Sequence, residues 1–169
     1  MAPPRGPFDP APLPLAARAM PAATVVAASL LTIWPLIADF PVLPPAGFVL
    51  LLTWRLVRPE SLPIWAPLPL GLVDDLVSGQ PFGNAMLFWT ISFIAIDTID
   101  QRLGARDFWQ DWLLASMAIG GYLLFGRFIA TPLEAHVDMI LLVQIGVAIL
   151  LYPVVTHLIG GIERRLARA

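Results

Sequence analysis

Gly71-Leu72-Val73-Asp74-Asp75-Leu76-Val77-Ser78-Gly79-Gln80-Pro81-Phe82-Gly83 decides how this chain folds, because it sets two adjacent carboxylates inside an otherwise apolar run. An ionised side chain at the centre of a bilayer costs about 3 kcal/mol on insertion scales, so such carboxylates face protein or water rather than lipid. With 71–79 helical, Gly71, Asp75 and Gly79 fall at i, i+4 and i+8 on one face. Ser78 then lies one turn from Asp75, and Asp74 points about 100° away. Glycines at this spacing let a second backbone approach closely. The closing Gly79–Gly83 stretch reads as a tight turn, with Pro81 suited to the first turn of the next helix. Asp75 is therefore expected to accept hydrogen bonds from backbone N–H groups near Ser78–Asn84 or from a polar side chain of a neighbouring span. Packing leads the readings of the carboxylate pair, ahead of a proton or ion path. A two-carboxylate enzyme comes last, because no further acidic motif follows at the fixed short spacing that metal-assisted chemistry needs.

Composition places the whole chain in the same class. Its 169 residues are 58% hydrophobic and 13% charged, and the mean hydropathy of +0.79 is too high for an ordinary soluble domain. An integral membrane protein is the expected outcome, with only short connections between spans. The absence of cysteine excludes disulfides, thiolate metal sites and a cysteine nucleophile. A net charge of −2 with no basic stripe argues against nucleic-acid binding.

Read in order, residues 1–17 hold six prolines and form a Pro-rich, solvated tail. Residues 18–165 form a single membrane domain of six helices, with spans expected near 19–38, 40–57, 62–79, 81–99, 108–130 and 137–160, and 166–169 form a short tail. The second span is crowded by Pro41, Pro44 and Pro45, and the third by Pro63, Pro67 and Pro69, so the third is expected to be kinked or partly unwound. Asp97 and Asp100 stand near the exit of the fourth.

Arginine placement gives an independent check, since cytoplasmic connections are enriched in Lys and Arg. Six spans with a cytoplasmic N-terminus put nine of the ten arginines inside, leaving Arg127 near the outer side. Both tails are then cytoplasmic, and Arg55, Arg58, Arg102, Arg106, Arg164 and Arg165 form the inner interface.

Other candidate residues carry less. Glu134, His136 and Asp138 lie close together on the outer loop, a pattern that solvated surface produces far more often than a metal site. His157 has no nucleophile elbow or acidic partner to work with. Gly120-Gly121 and Gly160-Gly161 mark close helix contacts or a helix end, because no phosphate-loop pattern accompanies them. No metal and no cofactor is expected.

The central stretch resembles that of the bacterial rod shape-determining MreD family, which carries a GxxxDLxSGxPxG-like motif. The matching positions are Gly71, Asp75, Leu76, Ser78, Gly79, Pro81 and Gly83, preceded by an Arg58-Pro59-Glu60 turn also typical of that family. Asp74 and the Pro-rich tail depart from its pattern. The resemblance implies an all-α polytopic bundle of six transmembrane helices, similar to the substrate-binding subunits of energy-coupling-factor transporters. It also implies a non-enzymatic scaffold of the cell-elongation complex in the bacterial inner membrane, supporting cell shape and peptidoglycan synthesis. Its partners would be an MreC-like protein, the MreB cytoskeleton and the RodA/transpeptidase synthase. The alternative is a solute-binding membrane subunit of a vitamin-type transporter.

Overall fold

The computed structural model describes residues 15–31, 45–79, 81–103, 107–130 and 139–166. The expectations for residues 1–14 of the N-terminal tail, Arg106 and the Glu134, His136 and Asp138 loop lie outside these residues, while residues 15–17 of the expected tail are helical. Six helices follow one another: α1 (Leu15–Leu31), α2 (Ala46–Val57), α3 (Pro67–Ser78), α4 (Asn84–Leu103), α5 (Phe108–Ala130) and α6 (Met139–Leu166). Among the described residues there is no strand.

Proline sets several of the boundaries. Pro45 precedes the first residue of α2, and Pro67 opens α3, where a missing N–H costs nothing. Consequently α3 begins five residues later than the span expected from 62, and turns occupy 59–66 in its place. Gly79 ends α3 in the left-handed conformation with φ 68°. Helix α5 covers the same residues as the fifth expected span. Helix α6 runs past the sixth to Leu166. By length and composition, one described stretch, Leu141–Ile162, is long and apolar enough to cross a membrane, while α2 and residues 19–31 of α1 are shorter apolar helices.

Helix α2 is the hub. Phe48, Val49, Leu51, Leu52, Trp54 and Leu56 are all buried, so its burial runs around the whole circumference instead of along one stripe. It packs chiefly on α1 and α6, and also on α5 and α4, while α3 and α4 form an antiparallel hairpin with the most extensive contact in the bundle. Rings join the hub to its neighbours, Phe48 lying 5.7 Å from Trp89 of α4 and 5.0 Å from Tyr122 of α5.

Two indole N–H groups tie helices together. Trp54 donates to Thr24 Oγ1 of α1 at 2.9 Å. Trp112 of α5 donates to the Ile149 carbonyl of α6 at 3.1 Å. That carbonyl stands four residues before Pro153, which has no N–H to return to it, so Trp112 fills the bond that proline removes. The outward faces of α4, α5 and α6 present Leu87, Ile91, Leu113, Met117, Leu150 and Val154.

Candidate functional site

Asp75 is 3% exposed and spends its carboxylate on the start of α4. Its Oδ1 accepts from Ala85 N–H at 2.8 Å. Its Oδ2 accepts from Gly83 N–H at 3.0 Å and Met86 N–H at 3.2 Å. The first N–H groups of any helix lack intrahelical partners, and the aligned peptide dipoles there favour a negative charge. Asp75 supplies both needs from the preceding helix. The desolvated charge is met by three donors, which is what allows it to be buried.

The glycines of the motif divide the geometry between them. A Cβ on Gly71 would lie 2.6 Å from Met86 Cα and 2.7 Å from Met86 N, so only glycine permits the α3–α4 approach that brings Asp75 to its donors. Gly79 and Gly83 have open space around them but carry positive φ, 68° and 91°, and turn the chain between the two helices. Leu76 and Pro81 point outward, and the Ser78 hydroxyl does not reach Asp75.

Asp74 turns to a different neighbourhood. It is buried, and Ser29 of α1 stands near its carboxylate. Both converge on Gly47 in the first turn of α2, where an added Cβ would collide with Ser29 Oγ and come within 3.0 Å of Trp89 Cη2 and 3.2 Å of Asp74 Oδ1. Sequence reasoning singled out neither Gly47 nor Ser29. The signal it had was a glycine two residues past Pro45, in the first turn of the helix that follows that break, where a small residue lets other helices come close.

A second polar centre lies at the opposite end of the α3–α4 hairpin. Arg55, expected at the cytoplasmic interface, is 4% exposed. Its Nη2 meets Asp97 Oδ1 at 2.5 Å and Asp100 Oδ2 at 3.1 Å, and its Nη1 donates to the Pro59 carbonyl at 3.1 Å. Phe93 lies under the guanidinium at 5.2 Å. Gln101 holds the other oxygen of Asp97 at 2.8 Å. Arg58 is half-buried, while Arg102 and Arg164 are exposed. The side chain of Arg165 lies outside the described residues. The structure thus separates the expected interface arginines, taking Arg55 into the protein and leaving Arg102 and Arg164 at the surface.

Each of these buried charges closes one helix against another, and the remaining surface of the bundle is broadly apolar. The fold is that of an all-helical protein with one described stretch long and apolar enough to cross a membrane. The family model described as rod shape-determining protein MreD matches residues 19–159, most of the chain, and the chain belongs to that family. It is thereby a membrane protein involved in rod shape determination. The comparisons with curated proteins and with solved structures found no match, so the likeness to energy-coupling-factor subunits has no counterpart there.

Proposed function

We propose that this chain is a non-enzymatic scaffold of the cell-elongation complex, crossing the inner membrane six times with both termini in the cytoplasm. It binds an MreC-like single-span protein and through it works with the MreB cytoskeleton and the RodA/transpeptidase synthase. The observation that carries this reading is the use of Asp75: the carboxylate of the family motif accepts three backbone N–H bonds and holds two helices at fixed register. A group committed to the backbone in this way is a structural device, and a fixed helix surface is what a binding partner needs. The arginine asymmetry supports the orientation.

Co-purification tests it. The full chain, extracted in a mild detergent that preserves its thermal transition, should retain an MreC-like single-span partner through size exclusion. Folded protein that repeatedly elutes without such a partner overturns the scaffold reading.

A further inference from the structure

Asp74 and Asp75 are adjacent in the chain and both buried, yet they meet opposite surroundings. Asp75 has three N–H donors and the start of α4 in front of it, the setting of an ionised carboxylate. Asp74 has neither. Its surroundings come from three other helices: the fully buried Ser29 of α1, Gly47 of α2 and the Trp89 ring of α4, gathered where a Cβ on Gly47 would lie. Trp89 meets that point with Cη2, a ring carbon, and its indole N–H has no acceptor among the described residues, Asp74 included. Cations are distant. Arg55, the arginine of α2, stands eight residues beyond Gly47, about 12 Å along the helix at ~1.5 Å per residue, and is committed to Asp97 and Asp100. Among the described residues the one titratable group that faces Asp74 is Asp75, itself negative.

A carboxylate buried without a cation or N–H donors takes up a proton rather than stay charged, and a like charge on the adjoining residue favours the neutral form further. A protonated carboxyl asks for less. It needs one acceptor for its O–H, and the Ser29 hydroxyl, which can accept, stands beside it on α1. We propose that Asp74 is a proton-binding site: the pair is held as one anion and one neutral acid, the Asp74 O–H turned to Ser29 closes α1 onto α3, and this contact loosens when the proton leaves. The step is an acid dissociation, with the proton passing from the carboxyl to water and the electron pair staying on the oxygen. It would put two negative charges on consecutive residues of one helix, with backbone donors for only one of them.

Infrared spectroscopy of the full chain in a mild detergent reads the charge state directly, because a protonated carboxyl has a C=O stretch above the amide band and an ionised carboxylate has none there. Near pH 7, where ordinary Asp and Glu are ionised, the wild type should show that stretch, and aspartate carrying carbon-13 in its side-chain carboxyl should move it. The stretch should vanish in Asp74→Asn and persist in Asp75→Asn. Thermal unfolding supplies the linkage. A carboxyl that is protonated when folded and ionised when unfolded gives stability that is lost as the pH rises from the ordinary carboxylate range, so going from about pH 6 to about pH 8 should lower the Tm of the wild type more than that of Asp74→Asn. Should Asp74→Asn not fold, Asp74→Glu serves instead: the stretch remains and loses its response to labelled aspartate. A wild type without the stretch, a stretch that survives in Asp74→Asn or still answers to labelled aspartate in Asp74→Glu, or equal pH slopes in wild type and Asp74→Asn overturns the proposal.

Discussion

Asp75 Oδ1 takes a hydrogen bond from Ala85 N–H at 2.8 Å, from a residue ten positions further along and on the next helix. Capping is usually done by the residue just before a helix. Here the cap reaches across from α3, so it fixes the relative position of two helices at the same time as it satisfies one.

Asp75→Ala leaves three backbone donors without their acceptor and should lower stability by about 1 to 3 kcal/mol. Asp75→Asn keeps one oxygen and should fall between wild type and Ala. Thermal unfolding in detergent and membrane abundance check the order. Equal damage from Asn and Ala would show that charge, not hydrogen bonding, is what the site requires.

Gly71 and Gly79 should fail differently. Gly71→Ala drives a methyl into the Met86 backbone, an overpacking of about 1 to 3 kcal/mol that also pulls Asp75 from its donors. Gly79 needs only its left-handed φ, which asparagine tolerates, so Gly79→Asn should be nearly silent and Gly79→Ala should cost about 1 to 2 kcal/mol. Abundance of the three variants side by side gives the comparison.

Arg55→Met removes the cation from Asp97 and Asp100, whose side chains are 28% and 21% exposed. Breaking a buried pair from one side costs about 3 to 5 kcal/mol, and the partial exposure puts this one at the low end. Arg55→Lys should recover only part of the loss, because an ammonium cannot hold two carboxylates and the Pro59 carbonyl in one plane. Asp97→Asn should be milder than either, since Asp100 remains. Chemical unfolding of the set provides the ranking.

Trp112 and Pro153 form a conditional pair. Trp112→Phe orphans the Ile149 carbonyl and should cost about 1 to 3 kcal/mol. Pro153→Ala returns an N–H to that carbonyl, so Trp112→Phe should cost distinctly less in the Pro153→Ala background. A double-mutant cycle by thermal unfolding measures the difference, and additive values would mean that the indole bond does not substitute for the missing one.

Topology has its own check. Reporter fusions after residue 169 and between residues 102 and 107 should both report the cytoplasm. Disagreement between them would mean that α5 or α6 does not cross alone.

The Asp75 arrangement was legible in the sequence because two physical constraints met at one place: the cost of a buried charge and a glycine spacing that puts both neighbours on its face. Asp74 was not legible, since its surroundings come from Ser29 and Gly47 on two other helices, and helical periodicity carries no information across such distances. Arg55 read as interfacial for the same reason. Its partner Asp97 lies 42 residues on, and nothing local distinguishes an arginine that faces water from one that meets a carboxylate. Helix starts were displaced wherever proline intervened, because hydropathy extends over a proline turn that the backbone must leave out.

The distance between Arg55 and Asp97 also has a meaning in time. At ~5–20 residues per second of synthesis, the 42 residues separating them take roughly 2 to 8 s to emerge from the ribosome. During that interval α2 exists without the Asp97 and Asp100 carboxylates that will hold its guanidinium. The most enclosed helix of the finished protein is thus made second and settled last, since the sixth helix, one of its two chief neighbours, is the final one to arrive.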